Sequence, residues 1–260
     1  MKKKVLKTAA FLTALCLTAG LGIFANALVG NPVSRLLAKR TAEAYLQENY
    51  GDTDFMLERI SYSFKEGGYF ACIQAPGSTD RYFTLSMDMA GKLVMDRYES
   101  MVLSGENTAR RLNQAYRDLA DSVLESPSFP FTIDIAFGDL AFGDILQAAD
   151  LEPDRIYDVR ELGEEAGQLT VYIDDEIVSV DRAAEILLEL KCMMEQGGVP
   201  FSTIDFVLQH SRPGDGPRPE GRVEVIRFPC AGIYASGLAG RIAEANDAAR
   251  AYHAALDQEK

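Results

Sequence analysis

Acidic side chains are the residues best placed to do chemistry in this 260-residue chain. They come in close sets: Asp52 and Asp54, Asp139 and Asp144, and the run Asp174-Asp175-Glu176. Two carboxylates facing one bond can hydrolyse a glycoside, and several facing one point can hold calcium. Either needs convergence in space that spacing along the chain does not supply. The Asp-x-Asp-x-Asp-Gly order of a calcium-binding hand is absent. Locally, 52–54 reads as a turn between helix and strand, and 174–176 as a turn before a helix.

Histidine and cysteine add little. His210 closes an apolar run beside Ser211 but has no third group to orient it, so it makes no triad. His253 follows Tyr252 near the carboxyl end, where a solvent-facing side chain is expected. Cys16 lies in an apolar run, and Cys72, Cys192 and Cys230 are odd in number and irregular in spacing. They make neither a disulfide framework nor a zinc motif, although one pair could bridge if the fold joined it. A phosphate loop is also absent. We assign no catalytic, cofactor-binding or metal-ligating residue and expect no cofactor. Tyr62, Phe64, Tyr69, Phe70, Tyr82 and Phe83 form the other notable set, because adjacent rings on a strand must point to opposite faces.

The elements that carry these residues follow from periodicity. After Asn31-Pro32, the residues Val33, Leu36, Leu37, Thr41, Ala44, Tyr45 and Glu48 recur at helical spacing as far as Tyr50-Gly51. Strand-like runs at 55–65, 69–74, 81–87 and 92–98 are separated by Gly- and Pro-containing turns. A helix over an antiparallel meander is predicted, cystatin-like in arrangement. A second helix places Leu112, Tyr116, Leu119 and Val123 on one stripe. Ser126-Pro127-Ser128-Phe129-Pro130 then breaks anything helical and marks a domain boundary.

Beyond it a five-residue duplication spans 136–145 and reads as a connector leading to a short helix through Ala149. Strands are predicted at 155–162 and 168–174, followed by a helix capped by Ser179 or Asp181 that stops at Gly197-Gly198. Further strands at 202–210 and 222–228 flank a long mobile loop, 212–221, before a last helix whose stripe includes Leu238, Ile242, Ala249 and Tyr252. The fold class expected is α+β: an N-terminal transmembrane helix followed by two α+β domains with largely antiparallel sheets packed by helices. The divisions are 1–30 as a signal anchor, 31–126 as a helix, β-meander and helix, 127–150 as linker, and 151–260 as a ββαββα domain.

Charge separates the amino end from the body. Lys2, Lys3, Lys4 and Lys7 are the charged residues of the first thirty, and none occurs from 8 to 34. The apolar stretch 8–30 is long enough to span a hydrocarbon core of about 30 Å. Lysines ahead of it favour a cytoplasmic amino terminus, which puts the body outside the cytoplasm. The competing reading is cleavage after Ala27, because Ala25-Asn26-Ala27 has the small-residue pattern of a signal-peptidase site, and the body would then be secreted. A lipoprotein signal at Cys16 is disfavoured by Leu15 before it. The body, 31–260, carries 22 basic against 39 acidic residues, net −17, a field that repels phosphate backbones and argues against nucleic acid.

Five segments carry a resemblance. They are Gly30-Asn31-Pro32-Val33-Ser34 with 37–40, Val102-Leu103-Ser104-Gly105 with Asn107-Thr108, Asp134-Ile135-Ala136-Phe137-Gly138, the 157–163 run, and Gly198-Val199-Pro200-Phe201 with 204–208. Through them the chain resembles the YfjL-like family, membrane-anchored proteins of Gram-positive bacteria with an amino- and a carboxyl-terminal domain. The resemblance implies no activity and transfers no active site. Relatives often carry tryptophan where this chain has Glu106 and Arg218. The functional expectation is a binding or regulatory module at the cell envelope. Its expected partners are the membrane, through the N-terminal helix, and an envelope ligand or protein. The alternatives are an extracellular hydrolase with an acidic cleft between the domains and a structural interaction protein.

Overall fold

The computed structural model describes residues 11–18, 20, 22, 29–143, 145–214 and 216–258. Two compact units emerge, one reaching to Asn107 and including Glu152–Asp154, the other holding Thr108–Leu151 and the chain from Arg155. Among the described residues no helix is long and apolar enough to cross a membrane. Residues 11–18 are helical, whereas 8–10, 19, 21 and 23–28 of the predicted span, with the Ala25-Asn26-Ala27 site, lie outside the described residues.

In the first unit, α1 (Pro32–Tyr50) begins where the sequence breaks. The Asn31 side chain accepts from the Ser34 amide at 2.7 Å, and Pro32 occupies the first turn, where no amide donor is needed. Ser34, Ala38 and Ala42 are its buried stripe, and their small size brings the helix close to the sheet. Gly91 is one cost of that approach, since a Cβ there would lie 2.7 Å from the Leu37 Cβ. The strands β1 (Met56–Ser63), β2 (Gly68–Gln74), β3 (Tyr82–Met87) and β4 (Leu93–Asp96) form the expected antiparallel meander in order β1-β2-β3-β4. Period-two alternation buries Tyr69, Ala71 and Ile73 of β2 and Phe83, Leu85 and Met87 of β3.

The Tyr50, Phe55, Phe83 and Tyr98 rings meet with centroids 5.1–5.9 Å apart. Tyr45 and Tyr50 both donate to Asp96 Oδ2, at 3.1 and 2.7 Å. Burial, helped by that carboxylate, pushes the Tyr50 phenol far above its ordinary value. Asp154 adopts φ +61 and accepts from Ser78 Oγ at 2.6 Å and the Thr79 and Asp80 amides at 2.8 and 3.1 Å, while its own amide donates to Asp80. Short polar residues such as Asp tolerate that left-handed conformation.

The second unit takes α2 (Glu106–Leu124) from Thr108 onward, then β5 (Thr132–Leu140), α3 (Val159–Ala166), β6 (Gly167–Asp175), α4 (Val180–Gln196), β7 (Thr203–His210), β8 (Arg222–Pro229) and α5 (Leu238–Gln258). Its sheet runs β5-β6-β7-β8 and is mixed rather than antiparallel throughout, because β6 and β7 are parallel and joined by the α4 crossover. Two expectations are corrected here. The stretch 132–140 is an edge strand paired with β6, not connector: its apolar residues alternate well enough to pair once β6 is present. Part of the stretch 155–162, predicted as a strand, is α3. Asp158 caps that helix by accepting from the Arg160 amide at 2.8 Å, and Glu161 lies in its first turn.

Leu169, Val171 and Ile173 of β6 and Ile204, Phe206 and Leu208 of β7 pack with Ile186, Leu187, Leu190 and Met194 of α4 and Leu238 and Ile242 of α5. Leu124 and Phe129 join the same core, so the proline-containing run at 126–130 is a turn inside this unit. Ser179 proves to be the cap of α4, accepting from the Arg182 amide at 3.2 Å.

Candidate functional site

Arginine pairs with Asp54, Asp139, Asp174 and Asp175 of the acidic sets singled out in the sequence. Asp54 pairs with Arg81 at 2.5 Å. Asp139 accepts from Arg117 and from Asn113 at 2.9 Å, while Asp144 lies outside the described residues. Asp174 pairs with Arg218, which also reaches Asp134 at 3.0 Å, and Gln209 donates to both acids at 3.1–3.2 Å. Arg218 further donates to the His210 carbonyl at 2.6 Å, so one side chain pins the 211–221 loop to the sheet. Asp175 accepts from the Ile177 amide at 2.9 Å and from Arg182 at 3.0–3.1 Å. Desolvation raises the Asp175 pKa, but these donors outweigh it and hold the carboxyl below its ordinary value. Carboxylates neutralised this way are poor general bases and poor cation ligands. Among the described residues no group of three or more His, Cys, Asp or Glu could hold a metal ion.

His253 is half-buried rather than fully in solvent, with Nε2 at 3.1 Å from Glu224 Oε1. The other Glu224 oxygen pairs with Arg222 at 2.8 Å, and the Glu224 amide donates to Asn246. Glu224 is buried and fastens α5 to β8, a role that its place in an alternating strand did not reveal. Cys16, Cys72, Cys192 and Cys230 are all free thiols. Of the aromatic set, Tyr69 and Phe83 are buried, Tyr62, Phe70 and Tyr82 are intermediate, and Phe64 is 66% exposed.

Two adjoining hollows open at the start of α1. Tyr69 holds Asn31 at both ends: its hydroxyl accepts from the Asn31 amide and donates to the Asn31 carbonyl, each at 2.8 Å. Gly30 precedes this clamp at φ +73, and a Cβ there would lie 2.6 Å from Tyr69 Oη and 2.9 Å from the Tyr62 ring. Only glycine fits that turn. Next to it a groove of about 550 Å³ runs between α1 and β1, lined by Arg35, Leu36 and Lys39 on the helix and by Leu57, Arg59 and Ile60 on the strand, with Glu43 and Glu58 at its sides. A second hollow of about 580 Å³ continues it past Val29, Gly30, Tyr62 and Tyr69. The walls of the first groove are apolar, with three cations and two carboxylates among the lining residues, and Lys39 pairs with Glu43 at 3.6 Å.

The comparisons with known proteins bear on both units. Residues 2–97 match the model of the YfjL-like N-terminal domain, and 115–243 match that of the YfjL-like C-terminal domain. The chain belongs to the YfjL-like family. No curated protein and no solved structure matches it. Within the YfjL-like frame, the α1–β1 groove lies wholly in the N-terminal match. The Asp174 and Asp175 networks lie in the C-terminal match, as does that of Asp139 apart from Asn113, whereas His253 falls beyond it.

Proposed function

We propose that this YfjL-like chain is a single-pass, membrane-anchored extracytoplasmic protein whose body binds a ligand or partner at the cell envelope. The observation that carries the reading is the join at Gly30–Asn31. An uncharged apolar run preceded by four lysines ends where Tyr69 clamps the backbone. The helical residues 11–18 of that run expose Phe11, Leu12, Leu15 and Leu17, as a helix facing lipid would. The pairing of Asp54, Asp139, Asp174 and Asp175 with arginine favours binding over hydrolysis, because it neutralises the four acids of these sets that face a cation.

Alkaline washing of membranes that carry the full chain tests the anchor. Retention in the pellet at full length is expected. Release of a species beginning at Leu28 would replace the anchor by a cleaved export signal, and release at full length would remove membrane attachment altogether.

A further inference from the structure

We propose that the first turns of α1 and the facing part of β1 bind the headgroups of anionic phospholipids in the bilayer that the apolar segment enters. The inference rests on the membrane-anchored reading above. Gly30 and Asn31 are clamped, and the apolar run 8–30 abuts them in sequence, so the membrane-anchored reading places the surface around them beside the lipid. That surface is both greasy and basic. Val29, Val33 and Leu36 are 78%, 67% and 49% exposed, and Arg35, Lys39 and Arg59 line the adjoining groove together with Glu43 and Glu58.

The first turns of α1 are locally basic on an acidic body. Residues 31–42 hold Arg35, Lys39 and Arg40 and no carboxylate, although the body as a whole carries net −17. The acidic body as a whole repels an anionic bilayer, and the cations of this patch offset that repulsion locally. Each Lys or Arg beside an anionic surface strengthens attachment by about fivefold and loses that effect within a Debye length. The apolar residues between the cations are positioned to enter the interface, as on interfacial helices. Glu43 sits 3.6 Å from Lys39 and marks where the basic stretch ends.

The chain contains no tryptophan, so a single introduced one reports its own surroundings. Full-length Leu36→Trp and, as control, Val94→Trp are reconstituted into vesicles of phosphatidylcholine with or without phosphatidylglycerol. Val94 is 65% exposed on β4, the far edge of the same sheet. In the phosphatidylglycerol vesicles the Leu36→Trp emission is expected to shift to the blue and to be quenched several-fold more by brominated lipid than that of Val94→Trp. About 1 M salt, where the Debye length is about 3 Å, or the added changes Arg35→Gln, Lys39→Gln and Arg59→Gln should reverse the effect. Equal quenching in pure phosphatidylcholine, unchanged by salt, would overturn headgroup recognition. A vesicle-retained chain whose Leu36→Trp stays unquenched would overturn the proposal and leave the anchor standing. A chain washed off the vesicles would end both.

Discussion

The Tyr116 ring is fully buried, and its hydroxyl donates to the Pro200 carbonyl at 2.8 Å. Burial pushes its phenol far above the ordinary value, so it remains a donor at any working pH. Three glycines from three elements make room for the ring. A Cβ on Gly138 of β5 would lie 3.1 Å from it, one on Gly163 of α3 would lie 2.6 Å away, and one on Gly167 would meet the hydroxyl itself. Gly167→Ala should therefore cost about 1–3 kcal/mol by overpacking, and less in a Tyr116→Phe background, where the hydroxyl clash is gone but the Gly163 carbonyl oxygen at 2.5 Å remains. Equal costs in the two backgrounds, measured by urea unfolding, would show that the ring does not set this constraint. Asp175 supplies a pH-dependent test. Its folded pKa is depressed, so its contribution is present above the ordinary carboxylate value and fades as pH falls through the folded one. Asp175→Asn should be less stable than the parent near neutral pH, with the gap closing in strong acid. A gap that persisted there would assign the loss to something other than charge.

At the scale of elements, α4 is the central support of the second unit, and Leu187 on its inner face is fully buried between strands and helices. Leu187→Ala should cost about 2–5 kcal/mol. A loss near zero in chemical denaturation would mean that the helix faces have been assigned wrongly. This face was legible in the sequence, as were the four-strand meander and the first half of α5, because each buries one side and so shows a period of 3.6 or 2. For α1 the extent was legible but the face was not: the apolar stripe of Val33, Leu36 and Leu37 is exposed, and the small residues Ser34, Ala38 and Ala42 are the ones buried. α3 was not legible. Its eight residues are too few for helical periodicity to separate from strand alternation, and Asp158, which caps it, was passed over as a start signal. β5 was hidden for a different reason: an edge strand needs only its neighbour, and a duplicated Gly-Asp motif resembles a loop. The groove was invisible because α1 and β1 meet through tertiary packing. Arg218 was read as part of a mobile loop because its partners Asp134 and Asp174 are 84 and 44 residues away in sequence.

For the whole molecule, the membrane-anchored reading proposed above makes the amino-terminal run determine which side of the membrane the acidic body occupies. Lys2, Lys3, Lys4 and Lys7 precede the run, while Arg35, Lys39 and Arg40 follow it closely. Basic residues within about 15–20 positions of a span count on both sides, so the bias toward a cytoplasmic amino terminus is narrow and topology is the decisive variable. Protease shaving of intact cells, with antibody against the body as readout, measures it directly. Digestion of the body in intact cells, with a short membrane-embedded fragment left behind, is the predicted result. A body that survives in intact cells and is lost only after lysis would place it inside and contradict the account.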